Sequence, residues 1–154
     1  MGDIQGRHLI VSALKNGTVI DHIPSESLFK VISILKLETI HSQITFGTNL
    51  ESKKLGSKAI IKISDKFFEQ DDINKIAIIV PEAKLNIIKN YEVVEKMIVS
   101  LPDSIEGITK CFNPQCITNH EKVVPKFTVI EKSPVSLLCR YCEKITDQEH
   151  FILI

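Results

Sequence analysis

All four cysteines of the chain fall in its last 44 residues, as Cys111-Phe-Asn-Pro-Gln-Cys116 and, after 22 intervening residues, Cys139-Arg-Tyr-Cys142. Two short loops of this kind deliver four thiolates to one point while the chain between them folds back as a hairpin, which is how a tetrahedral metal is held. Four sulfur ligands leave no open position for water or substrate, so the expected ion is one structural zinc held by Cys111, Cys116, Cys139 and Cys142. Two disulfides are the alternative use of the same residues. The opening Met1-Gly2-Asp3-Ile4-Gln5-Gly6-Arg7 shows no basic stretch leading into an apolar run, and in a reducing compartment such a cluster favours metal over disulfides. His120 and His150 are read as polar surface residues, since the thiolates already complete the shell. So small a module has too little core to stand alone; metal-binding free energy, roughly 10–16 kcal/mol in zinc-finger peptides, becomes its folding free energy.

Charge excludes two partner classes. Nineteen basic and nineteen acidic residues cancel, leaving no overall field for nucleic acid or an anionic membrane. From Ser104 onward, six basic residues (Lys110, Lys122, Lys126, Lys132, Arg140, Lys144) meet six acidic ones (Glu106, Glu121, Glu131, Glu143, Asp147, Glu149), so a zinc-ribbon nucleic-acid binder is disfavoured. A protein surface suits Asn113, Gln115, Arg140, Tyr141, Glu143 and Lys144 better. No stretch reaches the roughly 18 apolar residues of a membrane span, and the expected location is cytoplasmic.

Hydrophobic patterning before residue 101 gives strand, helix, strand, strand, helix, strand. His8–Leu14 reads as extended, Asn16-Gly17 as a turn, and Thr18–Pro24 as extended again. Leu28, Val31, Ile32 and Leu35 make a helical stripe with Ser25 or Ser27 as its cap. Residues 43–49 and 58–64 read as a hairpin. Ile73, Ile76, Ala77 and Val80 make a second helix, capped by Asp71 or Asp72 and ended by Pro81. Residues 85–88 and 91–99 supply one or two last strands. This order predicts an α+β, ferredoxin-like antiparallel sheet with two helices on one face, followed by a small all-β zinc-ribbon-like domain. The boundary falls at Ser100–Ser104, giving domains 1–101 and 102–154. In the second, 128–131, 135–140 and 151–154 are candidate strands. Val93, Val94, Ile98 and Val99 offer more apolar surface than one sheet face needs, so a second copy is expected to pack there.

No nucleophile elbow, phosphate-binding glycine loop or metalloprotease helix occurs. Asp21-His22 is not a catalytic pair on this reading, because neighbours in an extended segment face opposite ways. Asp21, His22, Lys58, Lys62, Asn86, Tyr91 and Lys96 nevertheless place polar groups on apolar strands. They read either as the solvated face of the sheet or as a nucleotide site, with ammonium groups for phosphates and a carboxylate for ribose; spacing does not decide.

Gly17-Thr18-Val19-Ile20-Asp21-His22-Ile23-Pro24, Asn90-Tyr91-Glu92-Val93-Val94, and Cys111-x4-Cys116 with Cys139-x-Tyr141-Cys142-Glu143-Lys144 closely resemble the regulatory chain of aspartate carbamoyltransferase, over nearly the whole length. The resemblance implies a non-catalytic subunit with a nucleotide-binding allosteric domain that pairs with a second regulatory chain, and a zinc domain that docks on the catalytic chain. It implies CTP as inhibitor and ATP as activator of pyrimidine biosynthesis, in a heterododecamer of two catalytic trimers and three regulatory dimers. It places the effector pocket at Val11, Ser12, Leu14, Val19, Asp21, His22, Lys58, Lys62, Asn86, Ile88, Tyr91, Val93 and Lys96. Ser12 stands where an acidic residue is expected, His8 where lysine is frequent, and Pro114-Gln115 where the family has Ser-Asn. A structural adaptor with a vestigial nucleotide pocket is the alternative.

Overall fold

The computed structural model describes residues 13–154; the expected strand residues 8–12, and with them Val11 and Ser12, lie outside the described residues, and Ala13–Leu14 carry no regular structure. The elements are β1 (Gly17–Pro24), α1 (Leu28–Ile34), β2 (Ile44–Ser52), β3 (Gly56–Ser64), α2 (Gln70–Asn74), β4 (Lys84–Lys89), β5 (Glu92–Ile98), β6 (Ser104–Glu106), β7 (Lys126–Lys132), β8 (Val135–Cys139) and β9 (Ile145–Asp147). The first five strands form one antiparallel sheet in the order β2-β3-β1-β4-β5, and the last four a second in the order β6-β7-β8-β9.

Alternation decides which face of the first sheet is dry. Thr18, Ile20, Ala59, Ile61, Ile63, Leu85 and Ile87 are buried, and Leu28 and Val31 of α1 with Ile73 of α2 join the same apolar cluster. Both helices therefore cover one face, and the residues between those positions are left on the other. The cluster continues through Val99, Leu101 and Ile105 to Phe127, Val135, Leu137 and Cys139, so the core runs without a break from one sheet into the other. Val99 is thus packed inward, which corrects its assignment to an exposed patch; Val93, Val94 and Ile98 are the exposed ones.

The helices are shorter than their stripes suggest. A 3-10 turn at Ser25–Ser27 precedes α1, and no serine side chain caps it. Ser25 instead meets Ser57 Oγ at 3.0 Å and accepts the Asn49 N–H at 3.2 Å, spending its hydroxyl across the sheet. Helix α2 begins at Gln70 with Glu69 as N-cap, so Asp71 and Asp72 sit inside its first turn, and it tightens into a 3-10 turn at Lys75–Ile78 before Pro81. The apolar stripe survives because Ile73, Ile76, Ala77, Ile78 and Val80 are all buried. In the second sheet β7 and β8 bear out the candidates near 128–131 and 135–140, whereas 151–154 makes only an isolated bridge, Leu153 to Thr109.

Three ladders of the first sheet slip by a residue. Asp21 and His22 together oppose Ile60, Thr48 and Asn49 oppose Ala59, and Val94 is extra on β5. Such bulges bend a strand and re-aim side chains. The β4–β5 turn is Asn90-Tyr91, both left-handed (φ +51° and +67°), the geometry of the two-residue turn whose twist matches a hairpin.

Candidate functional site

The register of the first sheet aligns one polar row across four strands: Lys62 on β3 pairs with Val19 on β1, Val19 with Asn86 on β4, and Asn86 with Lys96 on β5. Directly paired residues share a face, and this face is the one the helices leave open. Lys62 is half-buried, and desolvation holds its ammonium below the usual lysine value. Two residue pairs further, Asp21 on β1 stands opposite Lys84, and Lys58 Nζ lies 3.0 Å from one Asp21 oxygen and 3.3 Å from the other.

At that end of the sheet a cleft of about 570 Å³ opens between the strands and the Pro81–Lys84 loop. Of the residues singled out from sequence, Asp21, His22, Asn86 and Lys96 line it. Val19, Lys58 and Lys62 continue the same face beside it. Ile88 pairs with Gly17 and with Val93 at the far end of the face, where Tyr91 sits exposed in the turn and Leu14 lies next to Gly17. From Asp21 to Gly17 is four strand residues, about 13 Å, so the set forms a strip and not a single cavity. Lys54, Glu82 and Lys84 also line the cleft, with Lys54 and Glu82 3.8 Å apart. Sequence reading missed them because charged residues in turns and at a strand start carry no pattern; only the fold brings them together.

Asp21 and His22 do not alternate as extended neighbours would. The bulge puts His22 at φ +61°, its N–H donates to Asp21 Oδ1 at 2.6 Å, and its Nδ1 comes to 3.7 Å from Oδ2. That nitrogen is buried and has no hydrogen-bond partner among the described residues. The two side chains thus face the same cleft.

In the second sheet the four thiols lie within 4.8 Å of one another and all are free. Cys111 and Cys142 are 3.6 Å apart and Cys116 and Cys139 3.7 Å; a tetrahedron with metal–sulfur bonds near 2.3 Å has edges of about 3.8 Å. The donors fit a thiophilic ion. Local turns set them: Asn119 Nδ2 donates to the Cys111 and Asn113 carbonyls at 3.1 and 2.8 Å, Gln115 N–H donates to Asn113 Oδ1 at 3.0 Å, and Glu143 turns the second loop at φ +61°. Thr118 Oγ1 donates to Cys116 Sγ at 3.1 Å and the Tyr141 N–H to Cys139 Sγ at 3.4 Å. Burial first, then the neighbouring thiols, push the Cys111 thiol up despite a hydrogen bond from the Asn113 backbone. Cys139 is likewise raised, chiefly by burial. For Cys142 burial also acts upward, but hydrogen bonds from the Asn113 side chain, the Lys144 N–H and the adjacent thiols outweigh it and bring it down to about 7. His120 is taken up by the Pro114 carbonyl and His150 by Asp147 and the Phe112 ring, in keeping with roles outside the thiol set. Asn113, Thr118 and Asn119 were not assigned this positioning from sequence, although Asn in a Cys-x4-Cys loop is a turn signal.

A sheet with one open polar face, joined through a common core to a β module gathered around four thiols, is the build of a binding subunit with a structural metal centre. The chain belongs to the aspartate carbamoyltransferase regulatory chain family: residues 9–100 match its allosteric domain and residues 103–152 its metal binding domain. It is 56% identical over 146 residues, 95% of each chain, to the aspartate carbamoyltransferase regulatory chain of Bacteroides fragilis. It is 52% identical over 147 residues, 96% of each chain, to that of Parabacteroides distasonis, and 49% identical over 146 residues, 94% of this chain and 96% of the relative, to that of Pyrococcus horikoshii. It is accordingly a non-catalytic subunit that associates with catalytic chains. Among the described residues no helix is long and apolar enough to cross a membrane.

Proposed function

We propose that residues 1–101 bind CTP and ATP on the open sheet face and that residues 102–154, folded around zinc on Cys111, Cys116, Cys139 and Cys142, carry the nucleotide's effect to the catalytic chain. The observation that supports this most is the row Lys62, Val19, Asn86, Lys96, with Asp21 and Lys58 beside it. Two ammonium groups flank an amide and a short apolar platform, with a carboxylate one step along. That order suits phosphates, a base edge and a ribose respectively. Val11, Ser12, Leu14, His22, Ile88, Tyr91 and Val93 complete the pocket on this reading. Four soft sulfur donors at tetrahedral spacing favour zinc over harder cations.

CTP would act as inhibitor and ATP as activator of a cytoplasmic pyrimidine-synthesis enzyme, by differential contacts worth about 1–3 kcal/mol between two quaternary states. Regulatory dimers would tie two catalytic trimers into a dodecamer. Exposed Val93, Val94 and Ile98 on the edge strand β5 are consistent with a second copy packing nearby. Calorimetric titration of the zinc-loaded chain with CTP and ATP, repeated with Lys62→Ala and Lys96→Ala, tests the effector role. Competing, saturable binding near one site per chain, weakened by both substitutions, is expected. No binding to the chain or to the assembled enzyme would leave only the adaptor role.

A further inference from the structure

The side-chain oxygen of Asn74, the last residue of α2, accepts two hydrogen bonds at the seam between the sheets. Gln70 Nε2 donates to it at 2.8 Å and the backbone N–H of Ser100 at 3.2 Å. Gln70 Nε2 also reaches the Ile98 carbonyl at 3.4 Å. One amide pair on a helix therefore grips both the last residue of β5 and the second residue beyond it. Upstream of that grip, Lys96, Met97 and Ile98 form a wall of the 570 Å³ cleft. Downstream, Val99 and Leu101 are buried and β6 begins at Ser104. Asn74 also borders a crevice of about 240 Å³ shared with Pro102, Ser104, Ile105 and Glu106.

A free linker absorbs small displacements, whereas one fixed to a rigid element passes them on, because packed elements switch between discrete arrangements and do not deform continuously. We propose that Asn74 is a positioning residue for allosteric coupling: by holding Ser100 to α2 it makes a shift of β5 at the cleft move the linker and β6 as one piece. This rests on the effector reading of that cleft. Asn74 touches neither the nucleotide strip nor the thiols, so its loss should separate binding from response.

The chemistry used is acceptance by Oδ1 alone. Asn74→Asp keeps an acceptor oxygen at that position, while Asn74→Leu keeps the shape and removes it. Each variant would be assembled with catalytic chains, and CTP and ATP binding measured by calorimetry beside the change in activity at saturating nucleotide. For Asn74→Leu the expected result is dissociation constants within about twofold of wild type and an effector response reduced at least threefold, with Asn74→Asp restoring most of it. Wild-type response in Asn74→Leu overturns the proposal, as does an equal loss in both variants, or a binding loss that accounts for the lost response. Absence of nucleotide binding by the wild type overturns the effector reading itself, and this inference with it.

Discussion

Phe127→Ala tests whether folding of the second sheet and uptake of its metal are one event. Phe127 is fully buried, and the register places it between Ile105 on β6 and Cys139 on β8, so its ring props the strand that carries a thiol. Truncating a buried Phe to Ala costs about 3–5 kcal/mol from lost transfer energy and the cavity left behind. If the apo module is unfolded and the metal binds only the folded form, that cost appears in full in the apparent affinity. At 1.4 kcal/mol per factor of ten, zinc binding should weaken by about two to three and a half orders of magnitude. Competition against a chromophoric chelator at fixed pH, on the wild-type and variant chains, measures it. A variant that binds zinc within about threefold of wild type would refute the coupling and show a thiol site already formed before the metal arrives.

Zinc affinity should also fall steeply with acid. The raised Cys111 and Cys139 thiols hold protons at neutral pH that the metal must displace, so with at least two protons released the affinity at pH 6 should be on the order of 10⁴-fold below that at pH 8; a slope under one proton per unit contradicts this. Gly17→Ala should destabilise the chain by at least about 3 kcal/mol, since φ is +144° and an added Cβ would stand 2.0 Å from the Ile63 carbonyl oxygen; a melting point within 2 °C or so of wild type would exclude that clash. Lys36→Gly should raise stability by about 0.5–1 kcal/mol, because Lys36 follows α1 at φ +53°; denaturant midpoints decide. Nucleotide affinity should weaken on the alkaline side at lower pH than an ordinary lysine would impose, because Lys62 loses its charge early, and Lys62→Arg should move that limb upward.

What was legible in the sequence was whatever depends on periodicity or fixed spacing. Leu28 and Val31 announced α1, the hairpin reading of 43–49 and 58–64 announced β2 and β3, and the two cysteine pairs announced their cluster. Helix starts were not legible, because Ser25 had two possible uses and the one it takes, toward Ser57 and Asn49, depends on strands distant in sequence. The bulge at Asp21-His22 was hidden for the same reason: it exists only relative to Ile60 on another strand. The short strands β6 and β9 have three residues each, too few to show alternation. Of the candidate effector residues, the motif resemblance named them and the register then explained why Lys62, Asn86 and Lys96 fall in line. Lys54 and Lys84 entered the cleft only through folding.

The slips in the two outer strands bear on how the isolated chain behaves in a test tube or a ribosome's wake. Among the described residues no strand lies beyond β2 or β5; an unpaired strand edge can recruit further strands side by side, and exposed Phe46 and Val94 make both margins of this sheet adhesive. Runaway stacking needs a flat, unbroken ladder on each newcomer. Here β2 is interrupted at Thr48-Asn49 and β5 at Val94, so an arriving strand finds only a few consecutive rungs before the spacing fails. The margins can hold a partner whose shape accommodates those kinks, yet they resist fibre growth while a newly made chain waits for one.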